Sequence, residues 1–138
     1  NVMLAGHVTV GAHTFVGGGA GIHQFCRIGE GGIVAGLARI AQDIPPFAMA
    51  AERNEIIGLN LIGLKRRGFD RATIGEIKDA FRVVYFTSGN IREVAAAALA
   101  ADTFKTVQAR EFLAFFTEGK RGFARARRET MAEVGDVG

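Results

Sequence analysis

The stretch from Leu4 to Ile44 repeats every six residues, and that period constrains the fold more than any other feature of the chain. Leu4, Val10, Val16, Ile22, Ile28, Val34 and Ile40 recur at a strict spacing of six. The fifth place of each block, Val8, Thr14, Ala20, Cys26, Gly32, Ala38 or Ile44, is mostly small. Such a period matches neither the roughly 3.6 residues of a helical turn nor the alternation of a flat strand, so each block has to contain its own bend. Gly11, Gly17 and Gly29 follow the repeated aliphatic residue directly, where a chain can turn or approach a neighbouring backbone at little steric cost. Short strands joined by such bends wind into a parallel β-helix, each aliphatic side chain stacking on its counterparts in the coils above and below.

The repeat ends at Pro45 and Pro46, the chain's only prolines. Residues 1–44 hold ten of the nineteen glycines but only four charged side chains, Arg27, Glu30, Arg39 and Asp43. Residues 47–58 are irregular and read as a connection or a last distorted strand. Residues 60–67 fit a short helix with Leu61 and Leu64 inward. Lys65, Arg66 and Arg67 stand at its end, where cations oppose the negative pole of the dipole, and Gly68 stops it. Asp70 is a good N-cap for a helix running to about Ser88, with Ile74, Ile77, Phe81, Val84 and Tyr85 at helical spacing. Asn90 and Glu93 form a capping box for an Ala-rich helix through about Ala101. A last helix is predicted from about Phe104 to Glu118, with Val107, Phe112, Phe115 and Phe116 as its apolar face. These helices cannot bury their faces alone and should pack against one another and the end of the β-helix. The basic and then acidic tail from Lys120 onward is expected to be partly frayed.

Composition excludes several classes. Charged residues make up 22% of the 138 and hydrophobic residues 49%, an ordinary globular balance. No apolar run approaches the length of a membrane span, and the start has no basic head of a secretory signal. The single cysteine, Cys26, allows no internal disulfide and, at a small fifth position, fits a packing role in a reducing compartment. A net charge of +3 suits an acidic partner, but no aromatic-interleaved basic stripe points to nucleic acid. Because coils of a solenoid are closed by their neighbours, a chain that begins inside the repeat is expected to be the C-terminal part of a longer protein.

Read together, Leu-Ala-Gly-His (4–7), His-Gln-Phe-Cys (23–26), Ala-Gln-Asp-Ile-Pro-Pro (41–46) and Gly-Leu-Asn-Leu-Ile-Gly-Leu-Lys-Arg-Arg-Gly-Phe (58–69) carry a resemblance. The chain resembles the hexapeptide-repeat acyltransferases, and among them the family that O-acylates UDP-N-acetylglucosamine at the start of lipid A biosynthesis. That resemblance implies a left-handed parallel β-helix with three blocks per coil, about two and a half coils here, followed by a C-terminal α-helical domain. The composition change and the helix signals suggest the divisions 1–46, a connection with a short basic helix over 47–69, and 70–138. The resemblance also implies a cytoplasmic homotrimer that takes a 3-hydroxyacyl group from acyl carrier protein, with no metal and no cofactor beyond the phosphopantetheine thioester of the donor.

The chemistry such an enzyme needs can be stated independently. A sugar hydroxyl must lose a proton as it attacks a thioester, which calls for a base of near-neutral pKa such as histidine. Negative charge then develops on the thioester oxygen and is stabilised by a backbone N–H aimed at it. The resemblance puts the general base in a His-x-x-His-Asp segment one coil before His7, upstream of residue 1, so the chain alone is expected to be inactive. It gives the oxyanion N–H to Gly6 and a place in the catalytic cleft to His7. His23 and Gln24 would contact the sugar or acyl group. Gly36 would leave the far end of the acyl groove open to a longer chain, and Asn60, Arg66 and Arg67 would bind the nucleotide or the carrier. Block positions independently set His7 and His23 on one face of successive coils and His13 on another. Ile62 and the Ala51-Glu52-Arg53 turn depart from the family pattern. Alternatives are the related N-acyltransferase of the same pathway, a non-catalytic trimerising scaffold, and a γ-carbonic-anhydrase-like protein using three histidines across an interface.

Overall fold

A computed structural model describes residues 1–127. Seven two-residue strands carry the repeat: β1 (Met3–Leu4), β2 (Thr9–Val10), β3 (Phe15–Val16), β4 (Gly21–Ile22), β5 (Arg27–Ile28), β6 (Ile33–Val34) and β7 (Arg39–Ile40). Each ends on the repeated aliphatic residue. β1 to β4 each pair in parallel with the strand eighteen residues on: Leu4↔Ile22, Val10↔Ile28, Val16↔Val34 and Ile22↔Ile40. Three blocks therefore close one turn of the coil, with three faces and three corners.

The bend has a regular backbone cause. His7, His13, Phe25 and Leu37 have φ of 57°, 59°, 67° and 64°, and Gly19 and Gly31 have 75° and 70°, so the third residue of every corner is left-handed. That conformation is cheap only for glycine, yet four of these six places carry a side chain. Gly11, Gly17 and Gly29 serve the other purpose open to them, close approach. A Cβ on Gly11 would stand 2.6 Å from the backbone N of Glu30, and Gly17 and Gly29 face the backbones of Gly36 and Pro46 in the same way.

Burial follows the stack. Ile22, Ile28, Val34, Ile40 and Ile44 are buried, whereas Leu4 and Val10 are 52% and 41% exposed, since a rung is covered only when rungs lie on both sides. Burying one such side chain stabilises by about 1.5–3 kcal/mol, so the inner rungs dominate the unit's stability.

Of the two readings of residues 47–58, a connection or a last distorted strand, the strand is the one found, and a second strand follows it. β8 (Ala48–Ala51) pairs in parallel with β6, extending that face, and then turns antiparallel into β9 (Glu55–Leu59), with a register shift between Met49 and Ala50. The frayed tail is corrected as far as Arg127: β10 (Arg125–Ala126) pairs in parallel with β9, Phe123 and Ala124 are buried, and Arg127 bonds Glu55. Asp43 anchors this returning segment. Its N–H donates to Gly122 O (2.8 Å), its O accepts from Ala124 N (3.0 Å), and its wholly buried carboxylate accepts from Arg27 N and Nε at 2.9 and 2.8 Å. The remainder of the predicted tail, Arg128 included, lies outside the described residues.

Helices form a second unit, residues 61–118, while residues 1–60 and 119–127 belong to the strand unit. The division therefore falls at Asn60 and Glu118, because the β8–β9 hairpin and β10 join the coil. The helices are α1 (Leu61–Arg66), α2 (Arg71–Phe86), α3 (Ile91–Ala100) and α4 (Val107–Phe115). Asp70 caps α2 through Thr73 N, Asn90 caps α3 through Glu93 N, and Thr106 caps α4 through Ala109 N. The core is aromatic, with Phe81–Phe112 at 6.1 Å, Phe112–Phe116 at 5.2 Å and Tyr85–Phe116 at 5.9 Å between centroids. Val107 is not part of this face. It is 73% exposed as the first residue of α4, and Ala109, Phe112 and Leu113 are the buried positions.

Candidate functional site

The corner between β1 and β2 recurs one turn later between β4 and β5, and register places Ala5, Gly6 and His7 against His23, Gln24 and Phe25. Phe25 N donates to Gly6 O at 3.2 Å across the two coils. Gly6 itself is free of both usual reasons for a glycine: its φ is not left-handed, and a Cβ there would meet nothing within 4 Å. Its N–H donates to no backbone acceptor among the described residues.

His7, His23 and Gln24 are exposed at this corner. The His7 ring stacks on Phe25 at 5.0 Å between centroids and 9° between planes, and Lys120 Nζ lies 5.4 Å from the same Phe25 centroid. Cys26, next in sequence, is buried, and that burial pushes its thiol up, in keeping with packing rather than nucleophilic use. His13 stands at the following corner. Among the described residues no group of three or more His, Cys, Asp or Glu side chains is placed to hold a metal ion.

Beside the histidine corner runs a groove of about 500 Å³ on the outer side of the β1–β4–β7 face, lined by Met3, Gly21, His23, Arg39, Arg53 and Asn54 among others. Arg39 Nη1 is fixed by the carbonyls of Gly19 and Leu37, both at 3.1 Å, and Asn54 Oδ1 accepts from Ala41 N and Gln42 N at 2.6 and 3.1 Å. A mostly apolar channel with a histidine at its rim and two guanidinium groups in its lining suits a ligand with an apolar body and a polar end. Sequence reasoning missed Arg39, Arg53 and Asn54. The available signal was the outward place before each aliphatic residue, which puts Met3, Gly21 and Arg39 in one column.

The other predicted residues stand elsewhere. Gly36 is at the corner between β6 and β7, where a Cβ would press on Gly18 O at 3.2 Å. Asn60 is held at the remaining corner, its N donating to Phe47 O (2.7 Å) and its Nδ2 to Gly31 O (3.3 Å). Arg66 closes α1 in the helical unit, and Arg67 Cζ lies 4.8 Å from the Phe69 centroid. One chain thus gathers Gly6, His7, His23 and Gln24 and leaves Gly36 and Asn60 at its other two corners.

Residues 43–124, more than half of the chain, match the family described as UDP N-acetylglucosamine O-acyltransferase, domain 2. The chain belongs to the UDP-N-acetylglucosamine O-acyltransferase family. Two curated relatives bear the name acyl-[acyl-carrier-protein]--UDP-N-acetylglucosamine O-acyltransferase. The Anaeromyxobacter sp. (strain K) protein is 36% identical over 91% of this chain and 49% of its own length. The Agrobacterium fabrum protein is 38% identical over 86% and 44%. The chain spans about half the length of the curated relatives it matches. Among solved structures, the UDP-N-acetylglucosamine acyltransferase from Campylobacter jejuni superposes with a TM-score of 0.82 at 37% identity, covering 92% of this chain and 49% of that one. The Arabidopsis enzyme of the same name does so with a TM-score of 0.80 at 32% identity, covering 91% and 47%. The family match starts at Asp43, so it comes from the hairpin and helices, whereas the histidine corner lies in the repeat before it.

Proposed function

We propose that the protein to which this chain belongs transfers a 3-hydroxyacyl group from acyl carrier protein to the 3-hydroxyl of UDP-N-acetylglucosamine. The observation that carries this reading is the histidine corner: Gly6, exposed and with open space where a Cβ would stand, beside exposed His7 and His23 on adjacent coils, in a chain of this family. In the step, the sugar oxygen bonds to the thioester carbon, the C–S bond breaks, and the hydroxyl proton passes by way of a histidine base to the departing thiolate. The base is proposed to be the histidine of the His-x-x-His-Asp segment that the resemblance sets one coil before His7. Gly6 N–H supports the oxyanion, a contribution of about 3–4 kcal/mol for a single donor of this kind. His7 orients the acceptor, His23 and Gln24 contact sugar or acyl group, and Gly36 keeps the acyl groove open. Asn60, Arg66 and Arg67 take nucleotide or carrier, arginine's planar fork suiting phosphate. The donor's own phosphopantetheine is the only prosthetic group the transfer calls for.

We also propose the finer architecture: a left-handed winding of about two and a half coils in this chain, a C-terminal helical domain, a cytoplasmic location and a homotrimer. Support for the trimer comes from the three corners. Predicted site residues that stand on different corners of one coil can meet only if a corner of one copy faces another corner of the next, in a closed ring. No helix among the described residues is long and apolar enough to cross a membrane.

The test is a transfer assay on the full-length protein with 3-hydroxyacyl carrier protein and UDP-N-acetylglucosamine. Esterification at the sugar 3-hydroxyl is expected, with His7→Ala lowering kcat by roughly ten- to a hundredfold. Acylation of a glucosamine amine instead would favour the related N-acyltransferase, and a trimer with no transfer would favour a scaffold.

A further inference from the structure

Phe25 occupies a position where its presence is costly. Its φ of 67° is left-handed, a conformation that glycine adopts at the equivalent places Gly19 and Gly31 and that His7, His13 and Leu37 adopt with a side chain, and Phe25 is not buried, with 40% of the residue exposed. Neither backbone preference nor core packing accounts for a phenylalanine there. What its ring does touch is specific: the His7 imidazole, nearly parallel at 9° and 5.0 Å, and the Lys120 ammonium at 5.4 Å. The two neighbours arrive from different parts of the chain. His7 comes from the preceding coil, and Lys120 from the segment that Asp43 clasps through Gly122 and Ala124. A cation near the ring also limits the ring's own excursions, because the quadrupole of the face attracts it.

We propose that Phe25 is the positioning residue of His7: its ring plane, steadied by Lys120, fixes the plane of the imidazole at the open Gly6–His7 corner. The consequence for turnover rests on the acyl-transfer reading given above; the stack itself does not. His7 also sits in the left-handed region, at φ 57°, so its backbone is fixed by the corner and the ring's remaining freedom is rotation about its side-chain bonds. A flat partner of matching orientation removes that freedom before substrate arrives.

Phe25→Gly is the decisive variant, since the corner's backbone conformation favours glycine and the variant should fold. Phe25→Trp keeps an aromatic face. In the full-length protein with carbon-13-labelled histidine, the His7 ring protons should be shifted upfield by the stacked ring, return towards free-imidazole values in Phe25→Gly, and stay upfield in Phe25→Trp. Lys120→Met should move them part of the way. In the transfer assay, Phe25→Gly should lower kcat roughly tenfold with KM little changed, and Phe25→Trp should retain most of the rate. Unchanged His7 shifts in Phe25→Gly would overturn the proposal, and so would lost shifts with an unchanged kcat. If the unaltered protein transfers no acyl group while its His7 shifts still follow residue 25, the positioning stands and the acyl-transfer reading falls.

Discussion

Asp43 shows how much one side chain can hold. It is the only fully buried charged residue among those described, and it binds both the backbone and the guanidinium of Arg27 while its own peptide groups hold the segment around Phe123. Removing one partner of a buried pair leaves the other charge uncompensated. Asp43→Ala should therefore destabilise the strand unit by roughly 3 kcal/mol, measured as a lowered denaturant midpoint at unchanged slope. Asp43→Asn, which can still accept from Arg27 N, should lose less. The sequence marks Asp43 as one of four charges in the repeat but not its partners, which are sixteen and about eighty residues away. The same limit applies at the corners. The six-residue spacing makes the buried aliphatic residues plain, because burial on one face leaves a period. The left-handed places at His7, His13, Phe25 and Leu37 leave none, because no glycine marks them. Gly11, Gly17 and Gly29 were legible as places of a turn or of close approach, and the structure decides for close approach, since a glycine announces either use equally.

At the scale of elements, the helices were legible where local chemistry decides. Asp70 and Asn90 cap as their residue types require, and both cap within three residues of themselves. The start of α4 is different. Glu76 of α2 accepts from Lys105 N (3.0 Å), Thr106 N (2.8 Å) and Thr106 Oγ1 (2.9 Å), so a distant carboxylate completes the first turn of α4. This is why the predicted start near Phe104 moved to Val107, and why Val107 faces solvent. The backbone N–H of Thr106 and the neighbouring donors hold the Glu76 carboxyl below the usual range. A depressed carboxylate stabilises the fold above its unfolded value of about 4.3, and that stabilisation is lost as pH falls through the lower folded value. Thermal melts from pH 7 to pH 3 should show Glu76→Gln less stable than the parent at neutral pH, with the gap closing at the acid end. A constant gap would mean that the carboxylate's charge is irrelevant to the tie. The sequence left β8 as one of two readings, because Ala48–Ala51 lack the six-residue marker, and it showed neither the antiparallel return through β9 nor β10, because Arg125–Ala126 is too short to show alternation.

For the whole molecule, the site was legible one corner at a time. Spacing alone set His7 and His23 together and His13 apart, and the structure agrees. That Gly36 stands at another corner follows from the eighteen-residue turn, whereas Asn60 reaches the third corner through the β8–β9 hairpin and its bonds to Phe47 O and Gly31 O; together they make a single chain an incomplete site for the proposed reaction. The central claim is therefore that each site is shared between copies, one giving the histidine corner and the next giving the Gly36 corner. Co-expressing full-length His7→Ala with Gly36→Trp and assaying transfer of a long 3-hydroxyacyl group tests this most directly. Each variant alone should keep at most about a tenth of the activity, while random mixing in a closed ring should restore about a quarter of the sites, because that share pairs an intact histidine corner with an intact Gly36 corner. Mixed oligomers that stay as inactive as their parents would contradict the account, since both residues would then serve a site within one copy.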